Sequence, residues 1–171
     1  MMLAGAGGCG ASPPADEGDG SATFVAQNID FKGFDTWQSL SFDNPNPGGA
    51  THVAGKRTVF INHLPPPGAT AFPVGTIIVK ETQQVDPTTR DVIARAKRGG
   101  TFNAEGATGW EWWELKNTAE GKVTMLWRGV APPVGACSYL TSLGGNCQLC
   151  HSGGTDGETV LTPALSLANF K

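Results

Sequence analysis

The chain is poor in charge of either sign: only 16% of its 171 residues are charged, with 12 Lys and Arg against 15 Asp and Glu, net −3. That balance argues against a nucleic-acid-binding surface and against a basic membrane-binding face. No run of residues is apolar for long enough to make a transmembrane helix. Long helices are also disfavoured, because 24 Gly and 12 Pro interrupt helix interiors; a four-helix bundle is excluded, and many turns with short strands are expected. Histidine and methionine occur three times each and cysteine four times, so metal and thiol chemistry have few places to sit. The 39% of hydrophobic residues suffices for one compact domain.

Three of these scarce residues fall together in Cys147-Gln148-Leu149-Cys150-His151. Two thiols two residues apart, followed directly by an imidazole, form the arrangement that attaches a c-type haem. Each thiol can add to a vinyl group while the imidazole binds the iron as proximal ligand. A zinc site would need two more ligands, and Cys137, His52 and His63 are not paired at finger spacing. The 20 residues after His151 contain neither Met nor His, so a second axial ligand cannot come from downstream. It must be His52, His63 or Met125, or the distal side of the iron stays open, as in haem proteins that bind small molecules.

Residues 1–22 read as a lipoprotein-like segment and flexible tether. Leu3-Ala4-Gly5-Ala6-Gly7-Gly8-Cys9 is similar to the small-residue box before the lipidated cysteine of bacterial lipoproteins, although no Lys or Arg precedes it. The polar stretch from Gly10 to Gly20 follows as a linker. Cys9 is the expected lipid anchor, and the folded part, residues 23–171, is expected in the periplasm or another extracytoplasmic compartment.

Beyond the tether, Phe34, Trp37 and Leu40 or Ser41 recur at three-residue spacing, which predicts a short amphipathic helix over 29–40. Five strands are expected at 57–62, 74–81, 91–98, 110–115 and 122–127, each bounded by Pro, Gly, Asn or Asp. The Trp cluster at 110–113 reads as core, with one indole able to wall a haem pocket. A short helix after Pro132-Pro133 is expected to carry the haem motif. Together these give an α+β fold: a five-stranded antiparallel sheet with flanking helices and a C-terminal haem-attachment helix.

The order of motifs resembles that of the cytochrome P-460 family and its relative cytochrome c-prime-beta. The resemblance rests on Trp37, the strand from Arg57 to Asn62, Phe72-Pro73-Val74-Gly75-Thr76-Ile77-Ile78-Val79-Lys80-Glu81, Lys97-Arg98-Gly99, Trp110 to Trp113, Gly121-Lys122-Val123, and Cys147 to His151. It implies a haem with an open distal side in a domain that is often dimeric, oxidation of hydroxylamine or a similar small nitrogen compound, and delivery of the electrons to a redox partner protein. It further implies that Lys80 is joined covalently to the porphyrin, that Arg57 stands over the distal side, and that Glu158 takes protons from the substrate. Asp156 competes with Glu158 for that role, and Thr159-Val160-Leu161-Thr162-Pro163 departs from the Asp-Tyr-Val-Phe-like tail of the family. A lysine in an apolar strand must reach solvent or lose its charge, and the neutral amine is the form that can bond to carbon. The plainer readings are an edge-strand Lys80 beside Glu81 and an Arg57 in a surface ion pair.

Two other functional classes fit the same residues. One is a gas-binding or electron-transfer cytochrome without the cross-link, in which Phe60 or Phe72 crowds the distal side. The other is an exported non-haem binding module with a Cys137–Cys147 disulfide.

Overall fold

A computed structural model describes residues 23–44, 55–83, 90–117 and 123–133, together with Cys147 and His151. Six strands, β1 (Gln38–Asn44), β2 (Gly55–Ile61), β3 (Ile77–Gln83), β4 (Arg90–Lys97), β5 (Trp110–Asn117) and β6 (Val123–Gly129), form one sheet in chain order. Every neighbouring pair is antiparallel. Such a meander needs only turns between strands, which the Gly- and Pro-rich connections supply. The β2–β3 connection is braced by Asn62, whose Oδ1 accepts the N–H groups of His63 and Ile77 at 2.9 and 2.8 Å and whose Nδ2 donates to Gly75 O at 2.9 Å. Gly75 adopts φ +90° there, a conformation that favours glycine.

Successive side chains of a strand point to opposite faces, so the sheet has two distinct sides. One side carries Phe60, Val79, Val92, Ala94, Trp113 and Leu115, and the segment just before β1 covers it with Ala26, Phe31 and Phe34. The other carries Val59, Ile61, Ile78, Trp110, Trp112 and Trp127, with Phe72 and Ala107 from connecting segments. We call these the N-terminal face and the site face. A β-bulge sorts the residues of β6 between them: Glu114 pairs with Trp127 but Leu115 pairs with Met125. Leu126 is therefore the extra residue, which lets Trp127 and Met125 take opposite faces despite their spacing of two.

Two features of the expected fold are overturned. The sheet has six strands rather than five, and the fold is mostly β rather than α+β with flanking helices and a C-terminal helix. Among the described residues the only helical elements are two 3-10 turns, Asn28–Phe31 and Phe34–Thr36; Cys147 and His151 also have helical backbone, with no element spanning them. The expected helix over 29–40 is split at Gly33, whose φ of +72° is incompatible with continued right-handed helix. From Gln38 the chain joins the sheet as β1, where Ser41 and Thr58 share a hydroxyl hydrogen bond of 2.9 Å across to β2. The three-residue aromatic spacing had two causes: Phe34 belongs to a 3-10 turn packed edge-on to Phe60 at 5.3 Å, whereas Leu40 belongs to the strand. The other five strands stand near their expected positions.

The N-terminal face closes on its own charges. Glu111, 3% exposed, accepts from Arg128 Nε and Nη2 at 2.7 Å each and from Arg98 Nη1 at 3.4 Å. Arg128 also lies 5.3 Å from the centroid of the Trp113 ring and donates to Ala26 O at 3.4 Å. Those contacts tie the covering segment to the sheet. A two-pronged arginine–carboxylate pair compensates the desolvation of a buried carboxylate far better than a single contact would.

Candidate functional site

Register places polar side chains in rows across the site face. Arg57, Thr82 and Asp91 are directly opposite one another on β2, β3 and β4, and all three are buried. In the next row Val59, Lys80, Ile93, Glu114 and Trp127 follow across β2 to β6. The row after that holds Ile61, Ile78, Arg95 and Trp112. Buried polar groups thus stand among aliphatic and indole side chains, an environment in which a charge is expensive unless it is compensated.

Lys80 shows the effect most clearly. It lies on an interior strand, is half-buried, and has Val59 and Ile93 directly opposite it on the flanking strands. Burial lowers its pKa from 10.5 to about 7, with Asp91 opposing the shift and Arg57 adding to it. The edge-strand reading of Lys80 is therefore corrected, and Glu81, as the next residue, belongs to the opposite face. Arg57 is likewise no surface residue. At 8% exposed it is buried, and burial lowers its pKa while Asp91 acts in the opposite sense. Arginine still remains charged at any working pH.

The two described residues of the haem motif lie on this same face. Cys147, like Ile93, packs against the apolar cluster of the site face, within electrostatic reach of Lys80. The His151 ring sits 5.8 Å from that of Trp112, and its Nδ1 is 3.3 Å from Arg95 Nη1. The indole beside that imidazole is the one of Trp112. Trp127 is fixed alongside by an indole N–H donated to Glu114 Oε2 at 2.6 Å.

These residues fit a covalently held haem. A thiol and an imidazole four residues apart meet one apolar wall, and an orphaned polar atom lies on the same face: Thr82 Oγ1 is buried with no hydrogen-bond partner among the described residues. Among the described residues no group of three or more His, Cys, Asp or Glu is arranged to hold a metal ion. A porphyrin brings four nitrogens of its own, so His151 alone can complete a five-coordinate iron.

Several expected site residues lie elsewhere. Met125 belongs to the N-terminal face, the side of the sheet away from Cys147 and His151. Phe60, one of the two phenylalanines expected to crowd a gas site, also belongs to that face. Phe72 does lie on the site side, edge-on to Trp110 at 5.8 Å. His63 is exposed and shares a 3.2 Å hydrogen bond with Thr76 Oγ1 in the β2–β3 connection. Cys9, His52, Cys137, Cys150, Asp156, Glu158 and the tether at 1–22 lie outside the described residues.

Sequence reasoning missed Asp91 and Arg95. Their signal was present, since Asp91, Ile93, Arg95 and Lys97 alternate with Val92, Ala94 and Ala96. A charged and an apolar residue in alternation normally mark a strand with one solvated face, and here both faces are covered, Val92, Ala94 and Ala96 on one and Asp91 and Arg95 on the other. Among the described residues no helix is long and apolar enough to cross a membrane. No family model, curated protein or solved structure matches the chain.

Proposed function

We propose that this chain is an exported c-type monohaem cytochrome similar to the cytochrome P-460 family, which oxidises hydroxylamine or a similar small nitrogen compound and passes the electrons to a redox partner protein. The observation that supports it is convergence: Arg57, Lys80 and the pair Cys147 and His151 come from separate parts of the sequence yet share one face of the sheet. Cys147 and Cys150 would hold a haem and His151 would ligate its iron, which would supply a site for the small molecule and its electrons.

The chain's own residues divide the remaining work. Arg57 carries a permanent positive charge in a buried setting, where it stabilises negative charge on a bound oxygen or nitrogen more than it would in water. Asp91 opposes Arg57 and keeps that charge oriented. Glu158, with Asp156 as its competitor, accepts the protons that the substrate releases. Lys80, with a pKa of about 7, is a neutral amine for a substantial fraction of the time at neutral pH. With a haem held at Cys147, that neutral amine would be the form of Lys80 able to bond a ring carbon and so hold the group at a third point.

The test is the tryptic mass spectrum, with the absorption spectrum, of protein matured in a host that attaches c-type haem. Haem on both the Cys147–Cys150 peptide and the Lys80 peptide is the expected result. Lys80→Ala should then change the absorption spectrum and abolish hydroxylamine turnover. Haem on the cysteine peptide alone would favour the gas-binding cytochrome, and a chain without haem would sink both readings in favour of the non-haem module.

A further inference from the structure

Arg95 stands directly behind the expected iron ligand, and its position is fixed from several sides. Its Nη1 lies 3.3 Å from His151 Nδ1, and its Cζ lies 4.7 Å from the centroid of the Trp110 ring. It is 7% exposed and is flanked in register by Ile78 and Trp112. Trp112 in turn faces the His151 ring at 5.8 Å. Adjacent strand positions therefore hold the guanidinium and the imidazole against each other.

A guanidinium has five donors and no acceptor. A hydrogen bond between Arg95 and His151 can therefore form only if Nδ1 accepts, and a neutral imidazole that accepts at Nδ1 carries its proton on Nε2. A neutral imidazole that ligates iron through Nε2 has the opposite tautomer, with the proton on Nδ1. Proteins normally receive that proton on a carboxylate or carbonyl, which strengthens the ligand. Arg95 supplies the reverse.

Resting on the haem reading above, we propose that Arg95 is a positioning residue which seats the His151 ring on the sheet while opposing its iron-binding tautomer, making His151 a weak proximal ligand. A weak, electron-poor ligand stabilises reduced iron relative to oxidised iron and so raises the reduction potential. That favours an iron whose task is to take electrons from its substrate.

Two measurements test this, one on the full chain before haem attachment and one after. In the chain without haem, nitrogen-15 NMR of His151 should show the proton on Nε2. Arg95→Gln, whose side-chain carbonyl can accept from Nδ1–H, should move it to Nδ1, whereas Arg95→Lys, still a donor, should leave it. In the ferrous haem protein, resonance Raman should give a low iron–histidine stretching frequency for the wild type and for Arg95→Lys. Arg95→Gln should raise that frequency and lower the midpoint potential. A wild-type tautomer with the proton on Nδ1 overturns the proposal without any variant. A haem-loaded Arg95→Gln with an unmoved stretching frequency overturns this assignment alone, and a chain that takes no haem overturns it together with the haem reading.

Discussion

The two faces of the sheet handle buried charge in opposite ways. On the N-terminal face Glu111 receives two hydrogen bonds of 2.7 Å from Arg128 and a longer one from Arg98, and the covering segment seals the network. On the site face Arg57, Asp91 and Arg95 are buried and Lys80 is held near a pKa of about 7, among groups that strand register brings together. The first arrangement looks like structure maintained for its own sake. The second keeps ionisable groups in surroundings that shift them, as at sites where chemistry is done.

The largest expected effect lies on the N-terminal face. Glu111→Leu leaves the buried guanidinium of Arg98 and the partly exposed one of Arg128 without their carboxylate and should cost about 3 kcal/mol in urea unfolding. Because Glu111 faces away from Cys147 and His151, any haem-loaded protein that survives should keep its absorption spectrum; a changed spectrum would break the division between the faces.

Lys80→Met should act in the other direction on stability. The folded chain holds Lys80 at about 7 against an ordinary value of 10.5, so between those limits the unfolded chain binds more protons and stability rises with pH. The cost of burying the ammonium is fully present below about pH 7 and fades as the pH approaches 10.5. Lys80→Met should therefore stabilise the chain without haem, most below pH 7 and not at all near pH 10.5. Urea midpoints across that range check it, and a gain independent of pH would refute the charge argument.

The smallest effect sharpens the same contrast at one atom. Thr82 is fully buried on the site face, and its hydroxyl has no hydrogen-bond partner among the described residues. Thr82→Val keeps the shape and removes the unsatisfied group, so the chain without haem should gain about 1 kcal/mol by thermal or urea unfolding. A loss of comparable size would mean that the hydroxyl is bonded in the folded chain.

Much of the sheet was legible in the sequence because strands bounded by Gly, Pro and Asn announce themselves, and five of the six stood near where the pattern put them. β1 was lost because Phe34, Trp37 and Leu40 mimic helical spacing, and only the left-handed turn at Gly33 and the pairing with β2 separate the two causes. Arg57 and Lys80 were legible as candidates, but the sequence offered surface readings for both. Their burial follows from interior positions in a six-stranded sheet, which no local window contains. Met125 and Phe60 went the other way, to the N-terminal face, for reasons of strand parity and one bulge.

The sequence by itself determined the chemistry available: the spacing from Cys147 to His151, the scarcity of other ligands, and turns frequent enough to force short antiparallel strands. These are local properties, fixed by covalent order and backbone sterics. Tertiary structure alone decided which face each residue joins, that Lys80 is half-buried with a lowered pKa, and that Arg95 stands against His151. Those outcomes depend on register between strands far apart in the chain, where a shift of one residue would send every side chain to the other face.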